Sequence, residues 1–286
     1  MSSATAMAPT SGAFDPYALA LSDIDLSDAN YFYTQQHWKL FERLRNEAPV
    51  HLFEHEVFGR VWSVTRYADI MSVDINHQQF SSEPSIFLPN TGSDEDPAFN
   101  PATFIAMDPP KHDAQRKAVN PAVAPPALRD LEPLIRQRVR TVLDRLPVGE
   151  TFNWVDLVSI EITTQMLATL FDFPFEDRYM LTRWSDLTTA NLETLKAMGY
   201  TLEDRRNAMY ECLEIFGGLY AERAQLPPAN DFISLMAHNE EMKNLDPMNL
   251  LGNLVLLIVG GNDTTRNSMS GGVLALHENP GEFAKL

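Results

Sequence analysis

Six apolar residues in a row, Leu254 to Val259, run straight into Gly260-Gly261-Asn262-Asp263-Thr264-Thr265. This stretch narrows the possible folds more than any other. A helix that is apolar on every side must be buried, so Asp263 and Thr264 are expected inside the protein. A buried carboxylate is expensive unless it is paired or used. Each glycine costs a helix interior about 1 kcal/mol relative to alanine. Two glycines also clear the helix surface, so that a ligand can lie against the backbone. One reading is a broken helix: the glycines end one segment, and Asp263 or Thr264 caps the next. The other is a continuous helix from Asp246 to Glu278 with a local distortion at a functional site. The helical pattern resumes at Met269, Val273, Leu274 and Leu276, which favours the second.

A core large enough for such a helix is available, because 44% of the 286 residues are hydrophobic. The net charge of −17 argues against nucleic-acid partners and against a basic membrane-binding face. The apolar run is far shorter than the ~18 residues that a membrane span needs. Cys212 is the only cysteine, so no disulfide forms within the chain, which suits a reducing cytoplasm. No secretory signal is visible. Residues 1–29 read as a disordered or loosely ordered segment, and residues 30–286 as one helix-rich domain with no linker to divide it.

Along the chain, Tyr33 to Glu47 reads as a helix with Trp38, Phe41 and Leu44 on its apolar side. Val50 to His55 and Val61 to Thr65 read as two strands around Gly59, and Arg66 to Asp74 as helix. Gln78 to Phe104 is a long irregular loop rich in proline, the kind that forms lids and binding segments. Further helices are expected at Pro109–Val119, Pro126–Leu146, Val155–Phe171, Glu176–Thr194, Leu202–Ala224 and Asp231–His238, ahead of the long one. The fold class is mainly α with a small β-sheet.

A second constellation is Met107-Asp108-Pro109-Pro110-Lys111-His112-Asp113-Ala114-Gln115-Arg116. Asp108 suits an N-cap, and prolines are tolerated in a first helical turn. His112 and Arg116, four apart, share a helix face. Two donors on one face can grip the carboxylates of a ligand, or can stand as an ordinary solvated pair.

Together the two motifs, about 150 residues apart, resemble those of the cytochromes P-450, the haem-thiolate monooxygenases. The Gly260–Thr265 stretch is similar to the oxygen-binding motif of that family's long central helix. Asp108-Pro109-Pro110-Lys111-His112 with Arg116 is similar to its propionate-binding helix in soluble bacterial members. Phe104–His112 and Leu257–Ser268 look most like the bacterial branch that hydroxylates terminal carbons of alkanes and fatty acids. The resemblance covers about residues 30–286. It implies haem b as cofactor, dioxygen and a small apolar molecule as substrates, and ferredoxin with ferredoxin reductase as electron donors. It implies that Thr264 and Asp263 deliver protons, that Gly260 and Gly261 make room beside the cofactor, and that His112 and Arg116 hold its propionates. Leu256, Val259 and Gly260 would face substrate, under a lid formed by residues 85–104. One departure stands out: the family's Glu-x-x-Arg pair and haem-cysteine loop are absent, so no metal ligand is expected here. Cys212 lies in a helical pattern and reads as a buried or half-buried core residue. The chain therefore looks like an N-terminal portion of such an enzyme, inactive and poorly folded alone. A catalytically silent helical fragment and a peroxide-driven peroxygenase are the competing readings. The Asp263–Thr264 pair argues against the latter.

Overall fold

The computed structural model describes residues 14–56, 58–86, 88 and 101–286. The expected N-terminal tail through residue 12 and most of the expected lid lie outside these residues. The chain forms two compact units, within Met1–Ser93 and Asp94–Leu286.

In the first unit, α1 (Ala29–Tyr33) ends where the expected helix was to begin, Gln35 follows at φ 60°, and α2 (His37–Glu47) forms the rest of the expected helix from a later start. The apolar face of α2 also differs from expectation. Leu40 and Leu44 are buried with Ile24, whereas Trp38 is 62% exposed. Arg43 shares the buried face because its guanidinium donates to the carbonyls of Pro16 and Leu19 and pairs with Glu47. An arginine so satisfied packs as core through its aliphatic stem. β1 (Val50–His55) and β2 (Gly59–Val64) form an antiparallel hairpin in which Val50 faces Val64 and His55 faces Gly59. Gly59 has φ +68°, a conformation that glycine adopts without strain. α3 (Tyr67–Asp74) follows.

Among its described residues, the regular elements of the second unit are all helical. α4 (Lys111–Val119) and α5 (Pro125–Leu143) lead into a π-helical stretch, Val155–Ile160, continuous with α6 (Glu161–Phe171). α7 (Tyr179–Thr189) stops at Ala190, and Asn191 caps α8 (Leu192–Ala197). The single expected helix over 176–194 is thus divided, because the Asn191 side chain accepts the Thr194 amide and begins a new helix. α9 (Leu202–Arg223) opens with a capping box, Thr201 with Asp204. α10 (Phe232–His238), α11 (Pro247–Glu278) and α12 (Pro280–Phe283) complete it. The core gathers Phe171, Phe173, Trp184 and Phe216 with Leu251, Leu254 and Ile258 of α11. Cys212 lies fully within it, and burial pushes its thiol far above the usual range.

α11 runs 32 residues without a break. Asp246 caps it by accepting the amides of Met248 and Asn249. The helix-break reading of Gly260-Gly261 is excluded, since the residues through Glu278 are uniformly α-helical. The expectation of all-round burial holds only near the start of the helix. α11 buries Leu250 to Leu254 on every side, then only Ile258 and Asn262, and exposes Gly271 to Ala275.

Candidate active site

The start of α4 is fixed by a glycine and an asparagine of α11. Residues 101–104 cross α11 at Gly252, where a Cβ would stand 2.2 Å from the Ala102 carbonyl oxygen. Only a residue without a side chain permits that approach. Beside it, Asn253 is fully buried. Its Oδ1 accepts the Phe104 amide at 2.9 Å, and its Nδ2 donates to Gln115 Oε1 of α4 at 2.7 Å. Neither Asn253 nor Gln115 stood out in the sequence, because each is an ordinary residue type whose partner lies over a hundred positions away.

α4 itself begins at Lys111, with Pro110 as the residue before it and no side-chain cap. The carbonyl of Asp108, the expected cap, accepts the His112 amide at 3.2 Å. His112 is half-buried, with its ring 6.4 Å from that of Phe104 and its Nδ1 2.8 Å from Asp113 Oδ1. Arg116, one turn on, is exposed and has no hydrogen-bond or ion-pair partner among the described residues. No hydrogen bond joins either side chain to residues 260–264. The link between α4 and α11 is Gln115–Asn253, seven residues or roughly 10 Å along α11 from Gly260.

On α11 the two glycines serve different neighbours. A Cβ on Gly260 would meet nothing within 4 Å, whereas one on Gly261 would meet Leu167 Cδ2 of α6 at 2.7 Å. Successive residues point about 100° apart on a helix, so both glycines cannot open the same face. The expected cofactor-facing role of Gly261 is corrected to close packing on α6. Leu256, Gly260 and Thr264 follow at four-residue intervals and share one face. Leu256 and Val259 are half-buried. Thr264 is exposed, not buried as expected, and its hydroxyl donates to the Gly260 carbonyl at 2.8 Å.

Asp263 is partly buried and paired. Its Oδ1 accepts from Arg266 Nη2 at 2.8 Å and from Ser185 Oγ of α7 at 3.1 Å. Asn262 turns inward, fully buried, and accepts from Thr163 Oγ1 of α6 at 3.0 Å. Asn262, Thr163, Ser185 and Arg266 are therefore parts of the site to which the sequence reading gave no role. Arg266 lies one helical turn from Asp263, a spacing that signals a possible ion pair.

The residues present fit a haem. Arg116 is an unpaired, exposed guanidinium, the donor type suited to a carboxylate. Around Gly260 the surface of α11 is bare enough for a flat ring to approach.

Relatives agree. The chain is 30% identical over 292 residues to a putative cytochrome P450 126 of Mycobacterium tuberculosis, covering 94% of the chain and 67% of that protein. The chain belongs to the cytochrome P450 family. Linalool 8-monooxygenase of Pseudomonas putida is 31% identical over 277 residues, covering 91% of the chain and 65% of the relative. The solved structure of cytochrome P450-153 from Novosphingobium aromaticivorans superimposes with a TM-score of 0.80 at 38% identity, over 92% of the chain and 65% of that structure. This P450 chain thus spans about two thirds of the length of these relatives. No family model matches it. The fold is that of the P450s, mainly helical with a two-stranded sheet. No helix among the described residues is long and apolar enough to cross a membrane.

Proposed function

We propose that this chain is the larger part of a haem-dependent monooxygenase that hydroxylates an apolar substrate, the terminal carbon of a medium-chain alkane or fatty acid. The observation that carries the reading is the face of α11 on which the bare Gly260 and the hydroxyl of Thr264 lie one turn apart, with the carboxylate of Asp263 beside them. Haem, when bound, supplies the reductive activation of dioxygen and the insertion of one oxygen atom into a C–H bond.

The chain supplies position and protons. His112 and Arg116 would hold the propionates, Arg116 through a two-pronged, charge-assisted contact. Gly260 keeps the helix face clear. Thr264 offers a hydroxyl at that face, released from the Gly260 carbonyl when a better acceptor arrives. Asp263 passes protons inward from solvent. Leu256 and Val259 supply apolar wall, and they reject a charged group at the reacting end. Residues 30–286 form part of one haem-binding domain in this reading. Two electrons would come from a ferredoxin and its reductase. The kinship with an enzyme named for linalool, itself an apolar alcohol, supports an apolar substrate class. The terminal-carbon assignment rests on the resemblance of residues 104–112 and 257–268 to the branch described above.

Thr264→Ala in the haem-loaded protein with its electron donors tests this. Substrate should still bind, while hydroxylated product per electron pair should fall, with hydrogen peroxide released in its place. General acid–base groups contribute ~10²–10⁴-fold, and the loss should lie toward that range. Coupled hydroxylation at the unaltered rate would exclude the relay. Full turnover on peroxide alone would favour a peroxygenase.

A further inference from the structure

The carboxylate of Asp263 is used on one side only. Oδ1 accepts three hydrogen bonds, from Arg266 Nη2 at 2.8 Å, Ser185 Oγ at 3.1 Å and Asn262 Nδ2 at 3.3 Å. Oδ2 accepts none among the described residues. Arg266 is shared in turn, since its Nη1 donates to Asp186 Oδ1 at 2.9 Å. Ser185 and Asp186 are consecutive on α7, which packs against α11. One of them holds Asp263, and the other holds the arginine that holds Asp263. The side chains of Arg266 and Asp263 are only 15% and 18% exposed, so solvent screens the pair weakly. Bonds between ionised partners are the strong ones. Rotating the carboxylate out of this arrangement would break all three contacts at once, whereas a half turn only exchanges two equivalent oxygens.

We propose that Arg266, anchored by Asp186, is a positioning residue that keeps Oδ1 of Asp263 occupied and leaves Oδ2 as the oxygen that handles the proton. The inference rests on the relay reading of Asp263 and Thr264 given above. It adds that proton delivery on α11 depends on the seating of α7. Shifting α7 away would withdraw Ser185 and Asp186 together. Asp263 and Arg266 would then be paired through their own helix alone, and the carboxylate would be free to rotate. The seating of α7 thus becomes a condition for coupled turnover.

A set of four variants in the haem-loaded, full-length protein tests it: Arg266→Gln, Asp186→Asn, Asp263→Asn, and Arg266→Gln combined with Asp263→Asn. Arg266→Gln should lower kcat for coupled product by roughly tenfold or more, with KM within about twofold. Asp186→Asn, which leaves the arginine in place, should act in the same direction and less strongly. It also serves if Arg266→Gln does not fold. The double variant should be no worse than Asp263→Asn alone, because residues that act through one group are not additive. A crystal structure of Arg266→Gln should show the Asp263 carboxylate turned away from Ser185 Oγ, a readout that needs no turnover. Losses that multiply in the double variant would overturn the proposal, as would a carboxylate still seated on Ser185. Wild-type coupling in Arg266→Gln beside an uncoupled Asp263→Asn would also overturn it while sparing the relay. Wild-type coupling in Asp263→Asn would instead sink the relay reading itself.

Discussion

Asn253 receives the amide of Phe104 and gives its own side-chain amide to Gln115, and all three groups are buried. Replacing it with leucine removes both contacts and strands an N–H and a carbonyl oxygen. Leaving one such buried group unpaired costs about 1–3 kcal/mol. Asn253→Leu should therefore lower the unfolding free energy by at least that much, read as a lower urea midpoint at an unchanged m value, and an unmoved midpoint would mean that water satisfies both groups. The residues of the glycine–acid–alcohol motif were legible in the sequence because they are consecutive and unusual in an apolar helix. Their surroundings were legible only in part. The exposure of Thr264 and the inward turn of Asn262 follow from which stripe of α11 is buried, and an almost wholly apolar run does not reveal that stripe. Ser185, Asn253 and Gln115 carried no signal at all, since common polar residues become informative only once their distant partners are known.

Among the elements, α11 was legible nearly to its ends, through the Asp246 cap and the polar residues after Leu276. The hairpin was equally plain, because Gly59 separates two short apolar runs. The breaks at Gln35 and Asn191 were not, because a left-handed backbone at Gln35 and a side-chain cap at Asn191 overrode a continuous helical pattern. Helix glycines make the difference between bare and crowded backbone measurable. Gly252→Ala drives a Cβ into the Ala102 carbonyl and should destabilise by about 1–3 kcal/mol, as overpacking does. Gly218→Ala in α9 meets nothing within 4 Å and should stabilise by about 0.5–1 kcal/mol. Thermal unfolding of the two variants reads both signs. Between α6 and α7, Glu161 accepts from Tyr179, Gln165 and Arg178. Burial alone would raise its pKa, but these hydrogen bonds and the Arg178 charge hold it below the usual carboxylate value. A depressed folded-state pKa contributes stability above the ordinary glutamate value and loses it as pH falls through the folded one. Denaturation midpoints taken from neutral pH downward should show that loss, and Glu161→Gln should flatten it while starting from a lower midpoint. A variant that keeps the full acid limb would assign the loss to other carboxylates.

For the molecule as a whole, two features oppose each other: a net charge of −17, and apolar side chains on the second half of α11, where Val273 and Leu274 are exposed. Like charges keep copies apart while the Debye length is long, about 30 Å at 0.01 M salt and about 3 Å at 1 M. Light scattering should therefore report little association at low salt and more as salt rises, and Leu274→Ser should reduce it. An apparent mass independent of salt would show that the charge does not hold the copies apart. The overall class, helices with a small sheet, was legible from periodicity alone. The order in which the pieces come together was not. The bond from Phe104 to Asn253 spans 149 residues. A ribosome adding ~5–20 residues per second needs roughly 7–30 s to make that stretch. For all that time the approach to α4 is already made and its dock does not yet exist. A nascent chain of this protein would therefore hold α4 unmoored while most of its core is still being synthesised, and a cofactor held as proposed above would then meet Arg116 but no surface to lie against.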